Sequence, residues 1–230
     1  MSAPHTEHSY GPPAARGTTV VVHETYASIQ GESSHAGRPC VFVRLTACHL
    51  RCVWCDTPHA FYEGVRKPVA DVVRETLAFG IPLVEVTGGE PLLQPGVHPL
   101  MTALADAGCT VLLETSGSLD VSTVDPRVRR IVDVKGPGSG ESERHLWSNL
   151  EHLREGDELK FVLADRADYE WARACVRTRD LPSRCTVLFG PVWGRLEARA
   201  LAEWIVADKL PVRFQVQLHK YVWDPDARGV

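Results

Sequence analysis

The chain has 230 residues, with 25 Lys and Arg against 29 Asp and Glu for a net charge of −4. Hydrophobic residues make up 44% and charged residues 23%, which excludes collagen-like, coiled-coil and wholly disordered chains. The length favours one large domain, the mild negative charge gives no electrostatic footprint for nucleic acid, and no run of ~18 apolar residues offers a membrane span.

Residues 1–17 carry three prolines, two histidines and little apolar content. They read as a disordered tail without the apolar stretch of a secretory signal. The fold is expected over residues 18–230, starting at the β-branched run Thr18–Val22. Strand-like runs then recur at Val41–Thr46, Leu83–Thr87, Thr110–Glu114, Arg130–Val134, Glu158–Leu163, Thr186–Phe189 and Arg213–Leu218. Helical periodicity fills the gaps at Val69–Phe79, Val97–Ala107, Arg166–Arg177 and Leu196–Asp208. Strand and helix in alternation predict an α/β fold of βαβ units on a parallel sheet, either doubly wound or a full or partial barrel. Functional residues are then expected just past the C-terminal ends of strands. The unusual segments fall there: Cys48 to Thr57, Gly88 to Pro91, Thr115 to Gly117 and Lys135 to Gly140.

Seven cysteines in a chain of this size, an odd number, argue against a disulfide framework. Three of them, Cys48, Cys52 and Cys55, lie within eight residues. A structural zinc site needs four ligands, usually as two pairs, and no second pair follows. An iron–sulfur cube takes four thiolates, so three leave one iron open, which suits a catalytic cluster better than a structural one. Cys40, Cys109, Cys175 and Cys185 read as core residues.

The CxxxCxxC spacing, with Trp54 before the last thiol and Thr87-Gly-Gly-Glu-Pro91 some thirty residues on, resembles the signature of the radical S-adenosylmethionine superfamily. The resemblance implies a partial TIM-like barrel and a 4Fe-4S cluster on Cys48, Cys52 and Cys55. It implies that S-adenosylmethionine chelates the open iron and is cleaved by one electron to a 5′-deoxyadenosyl radical. Further segments are similar to the 7-carboxy-7-deazaguanine synthase family: Tyr26–Glu32, Gly37–Arg44, Cys55–Thr57, Asp133–Gly140, Glu158–Val162 and Gln217–Tyr221.

That family contracts 6-carboxy-5,6,7,8-tetrahydropterin to a pyrrole with loss of ammonia, a lyase reaction of queuosine-type 7-deazapurine biosynthesis. S-adenosylmethionine is regenerated, and magnesium assists. The resemblance implies a cofactor site of Trp54, Cys55, Asp56, Gly89, Glu90, Asp133, Val134 and Lys135, with Gly190, Pro191, Val192 and Trp193 as a further stretch. It implies Thr57 as the magnesium ligand and Ile29, Gln30, Gly31, Glu32, Arg44, Thr87 and His219 at the substrate. Read without the resemblance, Thr57 is a turn cap, Arg44 half of an ion pair and His219 a core histidine in the last strand. The family also implies a flavodoxin- or ferredoxin-type electron donor, a homodimer and a cytoplasmic location. Ser33, where the family often has Gly, and Gly136, often Cys, depart from the pattern. The five residues after Pro225 leave no ground for assigning substrate binding to a terminal carboxylate. The alternatives are a glycyl-radical-enzyme activase and a non-enzymatic iron–sulfur or zinc-binding protein.

Overall fold

A computed structural model describes residues 18–230. The expected tail, residues 1–17, lies outside the described residues. The strands are β1 (Thr19–Ile29), β2 (Pro39–Leu45), β3 (Val65–Pro68), β4 (Leu83–Gly88), β5 (Thr110–Thr115), β6 (Arg129–Asp133), β7 (Glu158–Leu163), β8 (Thr186–Pro191) and β9 (Arg213–Phe214). They form one sheet in the order β3-β1-β2-β4-β5-β6-β7-β8-β9. Pairing is parallel from β2 through β9, so this part is the expected run of crossover units. The N-terminal edge differs from the expected parallel sheet. There β1 pairs antiparallel with both β2 and β3.

The helices α1 (Val69–Leu77), α2 (Val97–Asp106), α3 (Arg166–Thr178) and α4 (Ala198–Ala207) follow β3, β4, β7 and β8. In α1 the buried residues Val69, Val72, Val73 and Thr76 recur at helical spacing and form one stripe. Asp165 caps α3 by accepting from the Asp168 amide at 2.9 Å. The outward strand residues Val41, Val43, Leu45, Val84, Val86, Val111 and Leu113 pack on α1 and α2 in one core. Leu159, Phe161, Leu163, Val187 and Phe189 pack on α3 and α4 in another. Truncating one such residue, Leu113 for example, costs ~2–5 kcal/mol through lost transfer energy and the cavity left behind.

The last expected strand is shorter than its sequence pattern. Its ladder ends at Phe214, and His219 does not lie in a strand but opens the one-turn helix α5 (His219–Val222). Polar residues divert the chain. The Gln215 side chain accepts from the Ser33 amide at 2.8 Å, and the Leu218 amide donates to the Gly31 carbonyl at 2.8 Å. These bonds pull residues 215–219 across the open end of the sheet, toward the loop after β1.

Candidate active site

Side chains alternate between the two faces of each strand, so alternate positions of β2, β4, β5, β6 and β7 share the inner face. Cys40, Phe42, Leu83, Leu112 and Ile131 form a small apolar layer there. Two positions on from members of that layer, toward the C-terminal ends, come Arg44, Glu85, Glu114 and Asp133. Thr87 and Lys160 continue the polar tier, with Arg44 opposite Thr87 and Asp133 opposite Lys160 in register. This tier lines a cavity of about 630 Å³ at the C-terminal ends of the parallel strands.

The tier carries an unusual density of buried charge. Lys160 donates to Glu32 at 2.8 Å and to Glu114, and lies 3.4 Å from Asp133. Burial alone lowers a lysine, but Asp133, Glu114 and Glu32 outweigh it and hold the Lys160 ammonium well above its usual range. Burial raises the Glu114 carboxyl, yet Lys160 overcomes this and leaves it below the usual range. Glu85 makes no ion pair with Lys160, whose charge is here outweighed. Burial and the Glu114 charge push it well above the carboxylate range, and Gln30 donates to it. Two carboxyls on adjacent strands are thus driven in opposite directions. Thr87 donates to Glu114 at 2.9 Å.

The three closely spaced thiols, Cys48, Cys52 and Cys55, are free, half-buried and open onto this cavity. The Leu50 amide donates to the Cys48 sulfur at 3.4 Å. A single tetrahedral ion, with metal–sulfur bonds of about 2.3 Å, draws its thiolates within about 4 Å of one another. Among the described residues the three thiols do not meet within 4.8 Å. Gly89 lies against the cysteine loop: a Cβ there would sit 2.3 Å from the Ala47 carbonyl and 2.8 Å from the Cys48 Cβ. The glycine is required by that close approach.

Most of the residues expected at the site are brought together. Ile29, Gln30, Gly31, Glu32, Arg44, Thr87 and His219 line the cavity. Trp54, Cys55, Asp56, Thr57, Gly89, Asp133, Val134 and Lys135 line it too, joined by Val192 and Trp193. Gly190 and Pro191 are inside β8 and do not reach the cavity, so only the end of that stretch is placed to touch a ligand. Glu90 is fully buried and also outside the lining. Its carboxylate accepts from the Leu92 amide at 3.0 Å, the Ser116 amide at 2.7 Å and the Thr115 hydroxyl at 2.8 Å. It fastens β4 to β5 rather than pointing at a ligand.

Arg44 donates to Glu24 at 2.8 Å and to the Tyr26 hydroxyl at 2.9 Å, the ion pair that its cross-strand position allows. Only two of its five donors are used by these bonds. Thr57 does not cap the turn before Pro58, since its side chain makes no capping bond. Its hydroxyl lies 3.9 Å from the Cys55 sulfur. The His219 ring packs on Gly31, where a Cβ would come within 2.1 Å of Nδ1. Burial lowers the His219 pKa, so the ring is neutral near pH 7. Ser33, where glycine was the expected residue, has φ 64°, the left-handed conformation that glycine adopts without cost.

Sequence reasoning passed over Glu85, Glu114 and Lys160. All three interrupt apolar strands at alternate positions, and that parity was the available signal. It named the segments Thr115 to Gly117 and Gln217–Tyr221 without assigning a role to Ser116 or Gln217, and it declined a role for the residues after Pro225; Ser116, Gln217 and residues 225–230 all contribute to the lining.

Three comparisons bear on this geometry. The model of the radical SAM superfamily matches residues 43–137, the stretch holding the thiols and the glycine turn. A 7-carboxy-7-deazaguanine synthase from Chlorobaculum tepidum is 50% identical over 91% of this chain and 96% of its own length. One from Koribacter versatilis is 44% identical over 91% of this chain and 99% of its own length. The crystal structure of QueE from Escherichia coli superposes with a TM-score of 0.73 at 23% identity, covering 87% of this chain and 95% of that one, which shows the shared partial-barrel fold. The thiol loop, the glycine turn and similarity along nearly the whole length agree: the chain belongs to the 7-carboxy-7-deazaguanine synthase family of the radical SAM superfamily.

Proposed function

We propose that residues 18–230 act as one radical S-adenosylmethionine lyase unit, a 7-carboxy-7-deazaguanine synthase. The reaction converts 6-carboxy-5,6,7,8-tetrahydropterin to 7-carboxy-7-deazaguanine with loss of ammonia. The observation that carries this reading is the convergence of three uncommitted thiols and a polar tier on one cavity at the strand ends. When bound, a 4Fe-4S cluster and S-adenosylmethionine supply the one-electron chemistry that starts the rearrangement.

The residues fit those groups. Cys48, Cys52 and Cys55 hold the cluster, since three free thiols on one cavity leave one iron of a cube for the cofactor. The backbone of Gly89 faces the cofactor's amino acid end, while Glu90 positions that turn through its buried bonds to Thr115 and Ser116. Trp54 and Asp56, with Asp133, Val134 and Lys135, border the cofactor, and Val192 and Trp193 close its far side.

The pterin lies over the polar tier. Gln30, Glu32 and the raised carboxyl of Glu85 offer acceptors and a donor to its amino-pyrimidinone edge. Arg44 turns its free donors to the substrate carboxylate. Thr87 and the neutral His219 border the ring that contracts. Thr57 presents a hard oxygen to a magnesium ion, whose other ligands come from water and substrate. Burial of the tier beneath the ligand keeps water from the reacting carbon.

No helix among the described residues is long and apolar enough to cross a membrane. The proposal includes a cytoplasmic homodimer reduced by a flavodoxin- or ferredoxin-type donor. Anaerobic incubation of cluster-loaded protein with S-adenosylmethionine, reductant, magnesium and carboxytetrahydropterin should yield carboxydeazaguanine, read by mass. A fully loaded cluster with no such product would refute the reading.

A further inference from the structure

We propose a second metal site, for one divalent transition-metal ion of the zinc class, formed by His23, Glu24 and His59 at the wall of the cavity. Among the described residues these three bring one ligand atom each within 4.8 Å of one another. They offer two imidazoles and a carboxylate, a donor set suited to zinc or iron(II) and unsuited to magnesium, which takes oxygen. The site is therefore distinct in chemistry from Thr57.

A local irregularity in β1 builds it. Consecutive strand residues normally point to opposite faces, yet the β1–β2 register slips between Val22 and Glu24, leaving His23 as the extra residue of a bulge. The bulge turns His23 and Glu24 toward the same neighbour. That neighbour is His59, on the short turn Pro58–Phe61 that follows the cysteine loop, with its ring centroid 5.0 Å from that of His23.

A second observation points to a ligand. His23 Nδ1 lies 3.0 Å from the Glu63 carbonyl. A carbonyl only accepts, so Nδ1 is the donor in this bond and Nε2 is the nitrogen left for a metal. It is the outer bond that a metal-binding histidine ordinarily makes. Glu24 gives one oxygen to Arg44 at 2.8 Å and keeps the other. Glu24 and His59 also line the substrate cavity, and a set of three protein ligands is one short of the four of a structural zinc site.

The test uses cluster-loaded protein, in which Cys48, Cys52 and Cys55 are occupied. Zinc is titrated anaerobically against a chromophoric chelator, and the bound ion is examined by X-ray absorption. One zinc per chain with imidazole scattering and nitrogen or oxygen at about 2.0–2.1 Å is expected. His23→Gln, His59→Gln and the near-isosteric Glu24→Gln should each weaken binding by about tenfold or more, with circular dichroism unchanged. Sulfur scattering at about 2.3 Å, or equal zinc affinity in all three folded variants, would overturn the site. The readout is metal binding, so it stands or falls separately from synthase activity.

Discussion

The Lys160 ammonium lies 2.8 Å from the Glu32 carboxylate, joining the middle of the sheet to a loop 128 residues earlier in the chain. It also contacts Glu114 and lies 3.4 Å from Asp133, a carboxylate that it shares with Lys135 at 2.7 Å. Lys160→Met would leave Glu32 and Glu114 without their cation, and removing one partner from a buried ionic group costs ~3–5 kcal/mol. Urea unfolding should show a loss of that size, with turnover largely abolished. A variant as stable as the parent would mean that the cluster of charge is not held together by Lys160.

Gly31 is set by His219. A methyl group at position 31 would lie 2.1 Å from His219 Nδ1 and push the ring out of the cavity. Gly31→Ala should raise KM for the pterin by about tenfold, on the scale of one lost ligand contact at ~1.4 kcal/mol. Cluster content, read as iron and sulfide per chain, should stay the same.

His145 is buried, with both ring nitrogens unpartnered, and burial together with Arg179 pushes its pKa down to about 4. The unfolded chain, with an ordinary histidine near 6.5, binds the proton first as pH falls. Stability from this residue is thus full above about pH 6.5 and is lost progressively toward about pH 4. Between about pH 7.5 and 5 the parent should lose ~2 kcal/mol more than His145→Phe, measured by denaturant titration at each pH. Equal losses would contradict the buried neutral state.

Ala47 precedes the first thiol and has φ 80°, a conformation that strains an L-residue. It has no side-chain polar group to lose. Ala47→Gly should raise stability by ~0.5–1 kcal/mol, the relief of strain offset in part by the greater freedom of glycine in the unfolded chain. A thermal melt of the two proteins reads it directly, and a lower Tm would show that the loop does not store strain.

The alternation of the chain made the parallel sheet legible, because apolar runs such as Val41–Val43 and Val111–Leu113 declare buried strands wherever they pair. The thiol loop was legible because its spacing is local. The polar tier was not. Glu85, Glu114 and Lys160 are separated by tens of residues and meet only once parallel register sets them side by side. His219 was misread for a related reason: its strand ends early because Gln215 accepts from the Ser33 amide and Leu218 donates to the Gly31 carbonyl in the loop after β1, which no local pattern announces. The antiparallel edge strand Val65–Pro68 was missed because four residues carry too little periodicity to register.

The measurement that tests the assignment most directly follows a deuterium label at C6 of carboxytetrahydropterin during turnover. The account predicts that carboxydeazaguanine forms, that S-adenosylmethionine is not consumed in proportion, and that deuterium enters the S-adenosylmethionine pool. Product formed with stoichiometric loss of S-adenosylmethionine and no deuterium transfer would contradict it.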